Sequence, residues 1–176
     1  MENKNVNVSE WINRYLHLEG DNIINIDGCK YADMFYFTIL WNLFEARIFD
    51  HNMKGDVEEI QTKIENKIIL TALQAEPIID ILLKYLQDRY IGNSNSYYRF
   101  EHLFNGHNDG CKTLLEDVLH GTKTDKKDIV TALIISIYRF RCNLFHGEKE
   151  IASLPASGVY FCPANRFIIA CLKHKK

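Results

Sequence analysis

Proline is scarce in this chain, with only Pro77, Pro155 and Pro163 among 176 residues. With so few breakers, long stretches are free to run as helices. Long apolar runs are missing as well. The densest, Met34 to Phe49, is interrupted by Thr38, Asn42, Glu45 and Arg47, and falls short of the ~20 apolar residues that span a bilayer. Charge excess is absent too: 21 basic against 23 acidic residues leave a net charge of −2. No overall positive field gathers a polyanion, which counts against a general, salt-driven DNA binder and leaves any nucleic-acid contact to a local basic cluster. The sequence has no Gly-rich phosphate loop, nucleophile elbow or Walker motif. Its five cysteines, Cys29, Cys111, Cys142, Cys162 and Cys171, are odd in number and dispersed, with no C-x-x-C pair. Together with a polar stretch Met1–Asn5 that carries no signal-peptide pattern, this predicts reduced thiols in a cytoplasmic protein.

What is present is helical periodicity. A 47% hydrophobic and 25% charged composition is that of a globular protein, and the length suits one domain over residues 1–176. Ser9 is the expected N-cap of a short helix with Trp11, Ile12, Tyr15 and Leu16, ended by Gly20. Tyr31 to Asp50 is apolar nearly all round and reads as a central helix packed on several sides, its aromatics Phe35, Phe37, Trp41 and Phe44 in the core with Trp11. Asp56 to Ala75, with Ile60, Ile64 and Ile68 four apart, reads as one helix. Pro77 ends or kinks it before Ile78, Ile81, Leu82, Tyr85 and Leu86. After the turn-rich Gly92–Ser96, short helices are expected around Tyr97–Phe104 and Lys112–Leu119. Asp125 caps a helix running to about His146, with Gly147 as terminator. Val159–Phe161 is the one strand-like fragment, and Pro163 fits the first turn of a last helix with Phe167, Ile168 and Leu172. Lys173, His174, Lys175 and Lys176 read as a frayed basic tail. The expected architecture is all-α, a single bundle of about five to seven helices.

Chemistry concentrates in Tyr138-Arg-Phe-Arg-Cys-Asn-Leu-Phe-His-Gly147. Ile134, Ile137, Tyr138, Arg141 and Phe145 share one face at helical spacing, so Arg141 lies on an apolar stripe. A guanidinium there either snorkels outward or meets an anion in a groove. His146 follows Arg141 after four residues. A permanent cation and a titratable imidazole at one helix end can cleave a phosphodiester without a metal. Basic side chains also favour a last turn simply because they offset the helix dipole.

The run Arg-x-Arg-x-Asn-Leu-Phe-His-Gly resembles the R-x4-6-H motif of the HEPN superfamily (higher eukaryotes and prokaryotes nucleotide-binding). The resemblance covers about ten residues sharply and the remainder only in helical architecture. Arg141 to His146 gives the commoner spacing, Arg139 to His146 the six-residue one; Asn143 falls within the run and Gly147 closes it. One position departs: Cys142 stands where family members carry Asn, Asp or His. The resemblance implies a HEPN-like bundle acting as a homodimer whose paired motifs cut RNA, with neither metal nor other cofactor. His146 would move the proton and Arg141 hold the scissile phosphate. It implies a toxin or phage-defence setting with a cognate antitoxin or nucleotidyltransferase as partner, and no membrane. The other reading is a non-catalytic HEPN-like module for nucleotide or RNA binding or protein interaction, which Cys142 favours.

Other residues stand beside the motif. Glu45, within the central helix, needs a partner if buried, and Arg141 is a candidate; a solvent-facing carboxylate paired with Arg47 is the alternative. His102, His107 and Cys111 lie close in sequence but lack the paired short spacings of a zinc site, so no metal is expected.

Overall fold

A computed structural model of the protein describes residues 7–20, 32–91, 96–106, 109–145 and 154–176, with the side chains of 145 and 154–159 excepted. Among these residues there are nine helices: α1 (Val8–Tyr15), α2 (Ala32–Ile48), α3 (Val57–Lys67), α4 (Leu70–Leu73), α5 (Ile78–Tyr90), α6 (Ser96–Phe104), α7 (Gly110–Leu119), α8 (Lys126–Phe145) and α9 (Leu154–Lys173). The fold is all-α, as expected. The helix count exceeds the expected five to seven, and the one element not foreseen is α4, split from the helix read over Asp56–Ala75.

Their limits follow local chemistry. Asn7, not Ser9, caps α1: its Oδ1 accepts from the Glu10 N–H at 3.0 Å, while Ser9 is buried inside the helix. That helix stops at Tyr15 rather than at Gly20, with His17 in the left-handed region. Asp56 caps α3 through the Glu59 N–H at 2.8 Å, and Asp125 caps α8 through the Lys127 N–H at 2.8 Å.

Buried side chains from α1 to α9 form one continuous core. At its centre α2 packs against α9. The Phe37 ring lies 5.3 Å from Phe161 and 6.2 Å from Phe140, and Phe140 sits 4.0 Å from Tyr160. Burial of each such ring stabilises by about 1.5–3 kcal/mol. Phe35 is the exception to the expected α2 core: it is 47% exposed. The mid-section of α8, Val130 to Ile137, is buried on every side. The strand-like Val159–Phe161 is helical. Tyr160 and Phe161 are fully buried, and this packing overrides the β-preference of the triplet. Pro163 accordingly lies inside α9 and not in its first turn.

The last four residues are tied down, contrary to the frayed reading. Ile68 and Lys175 form an antiparallel bridge. The Ile69 N–H donates to the His174 carbonyl at 2.8 Å, and the Lys176 N–H donates to the Lys67 carbonyl at 2.8 Å. His174 Nε2 lies 2.7 Å from Glu76 Oε1. This pairing explains the break between α3 and α4. Ile68 is extended (φ −123°, ψ 141°), so the Asp56–Ala75 helix is interrupted where its backbone bonds to the tail instead. No helix among the described residues is long and apolar enough to cross a membrane.

Candidate functional site

The motif arginines occupy the last two turns of α8, where its apolar stripe leaves the core. Ile134 and Ile137 are buried; Tyr138 and Arg141 are half-buried. Arg139 and Arg141, two residues apart, point about 200° apart around the helix, and they have different surroundings.

Arg139 is enclosed, its side chain 13% exposed. Its Nη2 donates to Asp109 Oδ2 at 2.5 Å, and its guanidinium lies 5.2 Å from the Phe104 ring centre and 5.9 Å from that of Tyr138. The Asp109 carboxylate serves two elements. Its other oxygen, Oδ1, caps α7 by accepting from the Lys112 N–H at 3.1 Å, where the helix dipole also favours a negative charge. Gly55 sits against this pair. A Cβ there would come 3.1 Å from Tyr138 Cε1 and 3.6 Å from Arg139 Nη2, so the absent side chain is what lets the loop approach. The Gly55 carbonyl accepts from Cys111 Sγ at 3.2 Å. Burial, with the Asp109 charge adding to it, pushes the Cys111 thiol up to about 11.

Asn143 is buried, 7% exposed, and joins α8 to α6. Its Nδ2 donates to the carbonyls of His102 and Leu103, each at 3.1 Å. Both carbonyls belong to the last turn of α6, where no intrahelical donor reaches them. Asn105 and Gly106 then turn the chain in the left-handed region, and Asn105 Nδ2 donates to Asn143 Oδ1 at 3.2 Å.

Glu45 has a positional part. Its Oε2 accepts from Trp41 Nε1 at 3.1 Å and its Oε1 accepts from the Met53 N–H at 3.4 Å. It thereby holds the segment leading to Gly55, while Trp41 lies 6.2 Å from the Tyr138 ring. Burial pushes the Tyr138 phenol up and its contact with Cys142 adds to this; Arg139 and Arg141 oppose it.

Arg141 and Cys142 are both half-buried in the last turn of α8. His146 and Gly147 lie outside the described residues, as does His107. Of the two other members of that sequence cluster, His102 packs edge-on against Tyr98 at 4.2 Å and Cys111 is bonded to Gly55. The structure therefore brings Arg139, Asn143 and Glu45 into one supporting framework around the end of α8. Asp109 and Gly55, which complete that framework, had no signal in the sequence beyond capping and turn propensities, and His102, noted only for its side chain, joins it through its carbonyl.

No protein-family model, curated protein or solved structure matches the chain significantly.

Proposed function

We propose that this chain is a metal-independent endoribonuclease of HEPN type, acting in the cytoplasm as a homodimer whose two motif helices meet to form a composite Arg141/His146 site. The observation that carries the reading is the placement of Arg141, half-buried in the last turn of α8 where the apolar stripe leaves the core, at the commoner spacing from His146. Arg139 is paired with Asp109 and enclosed by rings, a scaffold position. In this reading His146 exchanges a proton with the ribose 2′-hydroxyl or the leaving oxygen. Arg141 offers its planar pair of donors to the scissile phosphate. Neither role requires a metal or a cofactor. A toxin or phage-defence effector, restrained by an antitoxin or a nucleotidyltransferase, is the setting that goes with this chemistry.

A second reading, a non-catalytic RNA-binding or interaction module, is favoured by Cys142. Its side chain lies beside Tyr138, whose phenol it helps push up, where family members present a polar group beside the arginine. An RNase assay in EDTA comparing wild type with His146→Ala separates the two. Cleavage abolished in the variant supports the first reading, and a folded, RNA-binding but inactive wild type supports the second.

A further inference from the structure

Tyr97 and Tyr98 open α6 with their side chains in water, 71% and 66% exposed. The opposite face of the helix is filled by Phe100, Leu103 and Phe104, all buried. Tyr97 forms one wall of a cleft of about 190 Å³ between α5, α6 and α7, floored by Tyr90, Phe100 and Leu119, with Glu116 and His120 at the rim. Tyr90 and Phe100 meet edge to face at 5.9 Å, which gives the floor a fixed aromatic surface. The volume is below the ~300–1,000 Å³ of sites that enclose drug-sized ligands. It suits a single planar ring system.

The rim sets the chemistry of that ring. An ionised Glu116 only accepts hydrogen bonds, so the matching edge carries N–H donors. Cytosine, adenine and guanine bear an exocyclic amine, whereas the one donor on uracil's pairing edge, N3–H, lies between two carbonyl oxygens that a carboxylate repels. Arg99 is exposed on the same helix, and the nearby Glu101 is paired with Lys112 at 2.7 Å, which leaves Glu116 as the acidic group of the cleft. The site is also tied to the motif, because Asn143 bonds the carbonyls of His102 and Leu103 at the far end of the same helix. From Tyr97 to Leu103 the helix advances about 9 Å, a short step for an extended single strand.

We propose that this cleft binds one unstacked, amino-bearing base of single-stranded RNA, with Tyr97 as stacking wall and Glu116 as acceptor, beside the motif at the end of α8. The inference rests on the RNA-cleaving reading above and adds to it a base preference. Stacking on the tyrosine supplies affinity with little regard to sequence, and Glu116 supplies the discrimination.

The test uses the full-length His146→Ala protein, titrated with short fluorescent oligocytidylate and oligouridylate by anisotropy. Oligocytidylate should bind more tightly. Tyr97→Ala should weaken it about tenfold while Tyr97→Phe retains it, and Glu116→Ala should bring the two oligomers to equal affinity. If Tyr97→Ala and Glu116→Ala bind both oligomers as their parent does, the cleft is not the base site, although the RNA reading stands. Equal losses for Tyr97→Phe and Tyr97→Ala would overturn stacking as the mode. If the parent binds neither oligomer and wild type cuts no RNA, the underlying reading falls and the inference with it.

Discussion

The Arg139 guanidinium and the Asp109 carboxylate meet at 2.5 Å across 30 positions of sequence. The same carboxylate starts α7 by accepting from the Lys112 N–H, so a single acidic side chain fixes both the helix that follows it and the arginine preceding the motif. The pair makes Arg139 part of the scaffold.

Removing one partner of an enclosed ion pair leaves the other charge poorly solvated, at 3–5 kcal/mol for fully buried pairs. Asp109 is 38% exposed in its side chain, which reduces that cost. Arg139→Ala should therefore destabilise by about 2 kcal/mol, seen as a lowered urea midpoint. A midpoint unchanged from wild type would show that the pair does not hold α8 to the start of α7.

Asn143 makes a separate prediction. Truncation to Ala strips the last-turn carbonyls of His102 and Leu103 of their shared donor. A buried polar group left unsatisfied costs about 1–3 kcal/mol, so Asn143→Ala should lose stability in that range. Amide exchange should rise in α6 before it rises in the middle of α8. Unchanged exchange in α6 would show that the cap contributes nothing to holding that helix.

These supporting roles were only partly legible in the sequence. α2, α5 and α8 were readable because buried rings and aliphatics repeat at helical spacing along them, Phe37, Trp41 and Phe44 among them. Asp125 and the Pro77 boundary were readable for local reasons of capping and a missing N–H. The break at Ile68 was not, because it depends on bonding to His174 and Lys176 more than a hundred positions away. The start of α9 was hidden by Val159-Tyr160-Phe161, whose strand preference loses to complete burial of both rings. At the candidate site, spacing pointed to Arg141, Arg139 and Asn143. It could not assign Asp109 to Arg139 or the α6 carbonyls to Asn143, since neither partnership has a local pattern.

Acid stability should report the turn after α2. Asp50, in the left-handed region at φ 53°, holds both Lys63 at 2.7 Å and Lys67 at 3.2 Å. Its hydrogen bonds to Lys63 and then Lys67 keep its carboxyl below the ordinary 3.8. A lowered folded-state value means that the contribution is complete above 3.8 and is lost as pH falls through the lower value. Asp50→Asn, which tolerates the same backbone geometry, should be less stable than wild type at neutral pH. The difference should close on acidification below about 3.8, and it should shrink in high salt because the group is exposed. Urea midpoints measured across pH check this, and a constant gap down to pH 2 would mean that the ion pairs contribute nothing.

The chemistry at the end of α8 carries the most direct prediction. If His146 moves the proton and Arg141 stabilises the phosphate, cleavage of RNA should persist in EDTA and vary with pH around ~6–7, the range of an unperturbed imidazole. With no metal to activate water, the 2′-hydroxyl of the substrate is the nucleophile: its oxygen bonds to phosphorus, the 5′-oxygen of the next nucleotide leaves with a proton, and a 2′,3′-cyclic phosphate remains. DNA lacks that hydroxyl and should survive intact. His146→Ala should abolish cleavage at a stability cost of about 1 kcal/mol or less. Arg141→Lys should restore little of what Arg141→Ala loses, since an ammonium is a point charge without the planar fork of a guanidinium. Light scattering at micromolar concentration should find a dimer, because the proposed mechanism builds each site from two motifs. A strict monomer, a requirement for Mg²⁺, or equal attack on DNA would each contradict this mechanism.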